Sequence, residues 1–224
     1  MDNTVAGIAQ ALSHDVSALD RISQNVANMQ TPGYLAQQPS RDFASNLHQA
    51  TVLDLAPGVL KHTGRPLDVA VQGNAFFAVD IDGQTLLTRN GEFHVDGQGR
   101  LVNATGHPVL GEAGAITLSG SDVRILADGQ IRDGGHVLDR LRVLTVSDPQ
   151  KLVAVGNGLY AYAGPTTTWT GSVRTGALEQ ANVDPGSEMV RLIEVTRHVQ
   201  SLQHAMHAYD EALQVGINHL GDNN

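Results

Sequence analysis

DPGSEMVRLIEVTRHVQSLQHAMHAYDEALQVGINHL, residues Asp184–Leu220, is the stretch on which the fold turns. Taken in alternating steps of three and four it gives Leu192, Val195, Val199, Leu202, Met206, Tyr209, Leu213, Gly216 and Leu220. That spacing keeps one apolar seam on one side of a helix, and sustained over several turns it is a coiled-coil pattern. Asp184 stands at the N-cap, and Pro185 suits the first helical position because its missing N–H would be unpaired there anyway. A helix running to Leu220 would be roughly 54 Å long at about 1.5 Å per residue. It buries its seam only against a partner.

The other end of the chain offers one. Val5, Ile8, Leu12, Asp15, Leu19, Ile22, Val26 and Met29 repeat the three-four spacing, with Asp15 the one polar interruption. This helix is expected to stop near Asn28, because Thr31-Pro32-Gly33 reads as a turn: a residue before proline avoids the helical region and glycine allows positive φ. At about 39 Å the first helix is shorter than the second, which should overhang it by several turns. An overhanging seam is an intermolecular surface. The alternative is a helical hairpin packed on its own domain.

Between the helices the texture changes. Tyr34 to Ala56 is weakly patterned, with Gln37-Gln38-Pro39 read as loop and Phe43 to Leu55 as a short helix or extended arm. From Leu60 short strands alternate with turn signals. Leu67, Val69 and Val71 alternate with Asp68, Ala70 and Gln72, and Ala75 to Val79 reads as a buried strand. Asp82-Gly83 is the strongest hairpin signal, and further turn pairs follow at the spacing expected of an all-β domain. Tyr160-Ala161-Tyr162 is the last candidate strand, and Pro165 to Ser172, with the only tryptophan, reads as linker. The expected fold is mainly β with long terminal α-helices: a central all-β domain plus a discontinuous coiled-coil domain built from both ends. Its boundaries are 1–33 and 184–224 for the helical domain, 34–59 for a linker or arm, 60–164 for the β domain and 165–183 for a second linker.

The 224 residues carry a net charge of −9 with no Lys/Arg cluster, which argues against nucleic acid and against an anionic membrane surface. A complete lack of cysteine excludes disulfides and thiolate chemistry. Met1 to Gln10 has neither a positive n-region nor an apolar h-region, so no cleaved signal peptide is expected, and no run reaches the ~20 apolar residues of a membrane span. Candidate chemistry is thin. His204 and His207 with Asp210 have a spacing that places them along one helix flank, where the plain reading is a polar border beside the seam. His198 reads as an ordinary surface pair with Glu194. Glu92, Asp96 and Glu112 sit by turn glycines, where acidic residues serve the turn. No nucleophile elbow, phosphate loop or dinucleotide fingerprint is present. Neither an enzyme nor a cofactor is expected.

Three segments together resemble the axial proteins of the bacterial flagellar rod and hook. Leu19 to Tyr34, with Asn25, Ala27, Asn28, Thr31, Pro32 and Gly33, is similar to the family's N-terminal Asn-Asn-(Ile/Leu)-Ala-Asn-Val-x-Thr-Pro-Gly-(Phe/Tyr) signature. Leu67 to Val79, Thr88 to Phe93 and Gly106 to Gly111 resemble the β-domain core. Gly176 to Pro185 with Asn182 and Val183, followed by Glu188, Met189 and Val190, resembles the opening of the C-terminal helix. Gln24, Met29-Gln30, Leu35 and Ala75 depart from the family pattern. The stretch Gly58 to Asp68 and the short length are most similar to the proximal rod type, with the distal rod type and then the hook as alternatives. The resemblance implies export through the flagellar type III apparatus without cleavage, a place in the periplasmic rod of the basal body, and self-assembly alongside neighbouring rod proteins. Terminal helices would line the inner tube, through Ile8, Leu12, Leu19, Ile22, Val26, Leu192, Val195, Val199, Leu202, Met206, Tyr209 and Leu213, and transmit torque. From another class, a secreted β-domain binding module would require an exposed aromatic platform, whereas Phe76, Phe77 and Phe93 read as core.

Overall fold

The computed structural model describes residues 2–40, 51–120 and 123–221. The chain divides into two units, one of residues 1–26, 39–51 and 184–224, the other of residues 27–38 and 52–183. The first contains two helices, Asp2–Asn28 (α1, entering the second unit at its last residues) and Pro185–Gly221 (α2).

Among the described residues the strands run, in chain order, Gln37–Pro39 (β1), Thr51–Leu53 (β2), Leu60–His62 (β3), Val69–Val71 (β4), Ala75–Ile81 (β5) and Gln84–Thr88 (β6). Phe93–Val95 (β7), Leu101–Asn103 (β8), Val123–Ile125 (β9), Gln130–Asp133 (β10), His136–Arg140 (β11) and Val143–Val146 (β12) follow. The last are Leu152–Gly156 (β13), Leu159–Tyr162 (β14), Thr166–Thr168 (β15), Val173–Thr175 (β16) and Ala177–Glu179 (β17). The largest sheet has the order β13-β14-β6-β5-β12-β15, and β11-β10-β9 form a second. Two-stranded ribbons complete the set: β1-β2, β16-β4, β17-β3 and β7-β8.

The centre of the six-stranded sheet is buried on both faces, which is why β5 reads Ala-Phe-Phe-Ala-Val without a polar alternate. Ala75, Phe77 and Val79 point into one apolar cluster with Phe93, Leu101, Val109 and Ile131. Phe76 and Ala78 point into the other, with Leu35, Leu87, Leu144, Leu152 and Tyr160. Edge-on ring pairs occupy both: Phe77 with Phe93 at 5.1 Å and Phe76 with Tyr160 at 5.9 Å. Asp82 (φ 51°) and Gly83 (φ 82°) make the tight turn between β5 and β6, both with the positive φ that the hairpin's right-handed twist demands.

The expected fold class holds at the coarse level of a mainly β chain with a helix at each end. Several details differ. Residues 34–59 are not simply a linker, because Tyr34, Leu35 and Ala36 are buried and Leu53 and Leu55 pack against the second apolar cluster. The reading of Phe43 to Leu55 as helix or arm lies largely outside the described residues, but Thr51–Leu53 is a strand. Residues 165–183 are not a linker either. They supply β15, β16 and β17, and Trp169 packs against the first cluster. Period-two alternation fails at β4, where Asp68, Val69, Ala70 and Val71 are all buried. Pro108 to Leu110 and Ile116 to Leu118 make isolated bridges rather than strands.

Candidate assembly interface

In the helical unit, Asp184 caps α2 as the sequence requires. Its carboxylate accepts from Gly186 N (3.2 Å), Ser187 N (3.3 Å) and Ser187 Oγ (2.6 Å), and its carbonyl accepts from Glu188 N at 3.1 Å. These bonds, the Ser187 hydroxyl first, hold the Asp184 carboxyl below the usual carboxylate range. The folded form therefore favours the ionised cap. Its contribution is fully present above the ordinary carboxylate pKa and is lost as pH falls through the lower folded value. Amide exchange in the first turn of α2 should accelerate on acidification below about pH 4, and Asp184→Asn, a neutral cap, should remove that pH dependence. An unchanged acid profile in Asp184→Asn would contradict the assignment.

The seam residues are unequally covered. Ile22 is buried, Ile8, Leu19 and Val26 are half-buried, and Leu12 is exposed. In α2, Leu192, Val195, Val199, Leu202 and Tyr209 are half-buried and Met206 is exposed, while the Leu213 side chain falls outside those described. A second set of apolar side chains lies off the seam: Val16 on α1, and Met189, Val190 and Ile193 on α2, each at least half exposed.

Asp15 was expected to interrupt the seam. It is buried, 4% exposed, and its Oδ2 lies 2.7 Å from His198 Nδ1. His198 thus serves a contact between α1 and α2. Nothing in the local sequence could have announced a bond between positions 183 residues apart.

The signature residues next to the helices fall into two groups. Asn25 is buried in the helical unit, and Glu188 is buried with its Oε1 accepting from Arg191 Nη1 at 2.8 Å. Pro185 and Met189 are exposed. In the β unit, Thr31 N donates to Asn28 O (2.9 Å), which closes the helix end, while Ala27 is exposed and Pro32 half-buried. Gly33 has φ 67°, and its N–H donates to Glu179 O at 2.8 Å. Asn182 acts as a bracket: Nδ2 donates to Asp54 O and Ala56 O, both at 2.8 Å, and Oδ1 accepts from Ala36 N at 2.6 Å. Asn182 N also donates to Tyr34 O (3.3 Å), and neighbouring Val183 is half-buried.

Three residues before Asn182, Glu179 forms a charge pair with Arg89. Arg89 and Glu179 side chains are 0% and 2% exposed, joined by Nε–Oε2 at 3.0 Å and by Nη2 to both carboxylate oxygens at 2.9 and 2.8 Å. Glu179 Oε1 also accepts from Gly58 N at 2.8 Å. Tyr160 stands alongside, its hydroxyl oxygen accepting from Leu35 N at 2.9 Å, and burial pushes its pKa well above the ordinary range, so it stays a neutral phenol. Glu92 is spent on Arg65 (2.9 Å), and Asp96 on Arg100 and turn N–H groups, which are structural uses of carboxylates once weighed for chemistry.

The model of the flagellar hook protein FlgE/F/G D1 domain matches residues 70–133, and that of the flagellar basal body rod FlgEFG protein C-terminal matches residues 174–219. The flagellar basal-body rod protein FlgF of Mesorhizobium japonicum is 32% identical over 222 residues, 91% of each chain. The chain belongs to the flagellar basal-body rod family. FlgF of Escherichia coli is 29% identical, covering 94% of this chain and 95% of its own, and FlgG of Bacillus subtilis is 28% identical, covering 91% and 84%. The rod family expected from the motifs is thereby confirmed, together with the likeness to its proximal rod type. This rod protein is a structural subunit of the flagellar basal body, from a family of structural proteins and not of enzymes.

Proposed function

We propose that this rod protein polymerises through its terminal helices, residues 1–33 and 184–224 forming the torque-bearing inner tube and the β domain of 60–164 lying outside it. Its partners on this reading are further copies of itself, the neighbouring rod proteins, and the flagellar type III apparatus that exports it uncleaved to the periplasmic rod. The observation that carries the proposal is the state of the apolar helix faces. A helix of 37 residues leaves its seam half-covered and sets Met189, Val190 and Ile193 at least half exposed beside it. A helix that is apolar on more than one face is built to be surrounded. Coiled-coil pairing of α1 with α2, with the contact of buried Asp15 to the exposed His198 helping to set register, belongs to the same reading. Each large side chain buried on joining contributes roughly 1.5–3 kcal/mol, set against about 1–2 kcal/mol per backbone residue that must be ordered. Assembly thus completes the ordering of the ends.

Leu202→Asp should abolish incorporation into isolated basal bodies and abolish swimming. Met206→Asp should do the same although its side chain is already exposed at 43% and its replacement costs the monomer little. Urea unfolding followed through Trp169 should be unchanged in both. Normal rods and normal swimming in these variants would overturn the proposal.

A further inference from the structure

The six-stranded sheet of the β unit ends in two edge strands, β13 and β15. On β13, Val153 and Val155 are 60% and 51% exposed. Residues 152–156, Leu-Val-Ala-Val-Gly, contain no lysine, proline or other device by which natural edges resist pairing except a bulge between Ala154 and Gly156. That bulge leaves Leu152 to Ala154 in regular register.

At the far end, Ser147 N donates to Pro165 O (3.4 Å) and Trp169 N donates to Val143 O (3.1 Å). Bonds from this segment to β12 therefore fall at Pro165, Thr167 and Trp169, and by the alternation of an antiparallel ladder the N–H and C=O groups of Thr166 and Thr168 point outward. Thr166 and Thr168 are also among the residues that line a cleft of about 560 Å³. Trp169, which also lines the cleft, packs against the first apolar cluster, and Gly171 lies so close to the indole that an added Cβ would collide with it. Open backbone groups beside a groove suit an extended strand. Arg140 and Arg142 there are matched by Glu112 and Asp128, so the cleft has no net formal charge, and residues 152–156 are likewise uncharged.

Direction also fits. Every neighbouring pair from β13 to β15 is antiparallel. With six strands the two edges run in opposite directions, so two copies in the same orientation bring β13 and β15 together antiparallel and continue the sheet. We propose that the β unit carries a second assembly contact, separate from the terminal helices, in which β13 of one copy adds to the open edge of β15 in the next. The two patches differ, so the contact is heterologous and runs head-to-tail past the dimer instead of being satisfied by two copies. It moves Val153 out of water to lie against the β-branched threonines, a favourable cross-strand pairing.

The chain has no cysteine, so Val153→Cys and Thr167→Cys can be placed together in the full-length protein. A short bis-maleimide should then give a ladder of dimers, trimers and higher species. An equal mixture of the two single variants should stop at dimers, and each single variant alone should stay monomeric. Val155→Lys should remove the ladder, whereas Leu202→Asp should leave it intact, so failure of this contact and failure of the terminal-helix reading are seen separately. Monomer alone from the double variant, or dimers from either single variant, would overturn the proposal.

Discussion

Glu179→Ala is expected to destabilise the β unit by about 3–5 kcal/mol, because it strands a buried guanidinium. Arg89 is fully enclosed, its Nη1 has no hydrogen-bond partner among the described residues, and its remaining nitrogens point at the Glu179 carboxylate. Removing the carboxylate also leaves Gly58 N–H without its acceptor. The pair ties the end of β6 to the end of β17, strands that lie in different sheets. Trp169, the single tryptophan and a member of the same unit, reports the urea midpoint. The double variant Arg89→Met/Glu179→Leu should recover most of the loss, since replacing both charges by apolar groups is often close to neutral. A Glu179→Ala protein that melts like the parent would show that the pair does not hold these strands.

Gly33→Ala should be the next most damaging change. Its φ of 67° lies in the left-handed region, which costs an L-residue about 1–2 kcal/mol. An added Cβ would also meet the backbone of Arg89 and Asn90, with Arg89 O at 2.6 Å, and forcing these apart adds about 1–3 kcal/mol. Gly83→Ala is the control. It has φ 82° but open space where the Cβ would go, so only the backbone cost applies. Equal losses in the two variants would mean that the Thr-Pro-Gly turn is not pressed against Arg89.

The parts legible in sequence were those governed by local rules. The three-four periodicity announced both helices, Asp184-Pro185 marked the start of α2, and Asp82-Gly83 marked the hairpin, because each feature is specified within a few residues. Thr166 to Thr168 was hidden for the opposite reason: a strand at the edge of a sheet has exposed side chains, so three threonines carry no apolar signal. Strands β11 and β13 escaped notice likewise, with most of their residues exposed. Asp15 and Glu179 were out of reach because their meaning lies in His198 and Arg89, partners that only tertiary folding supplies. Signature residues such as Asn182 were found through the family motif, but the carbonyls that Asn182 brackets could not be named from it.

The brackets at Gly33 and Asn182 have a mechanical consequence. In the β unit the incoming strand of chain at Tyr34 and the outgoing strand at Asn182 are fastened to each other, so both leave through one doorway. Tension applied along the two leads is grounded at that clasp before it reaches the sandwich of phenylalanines beyond.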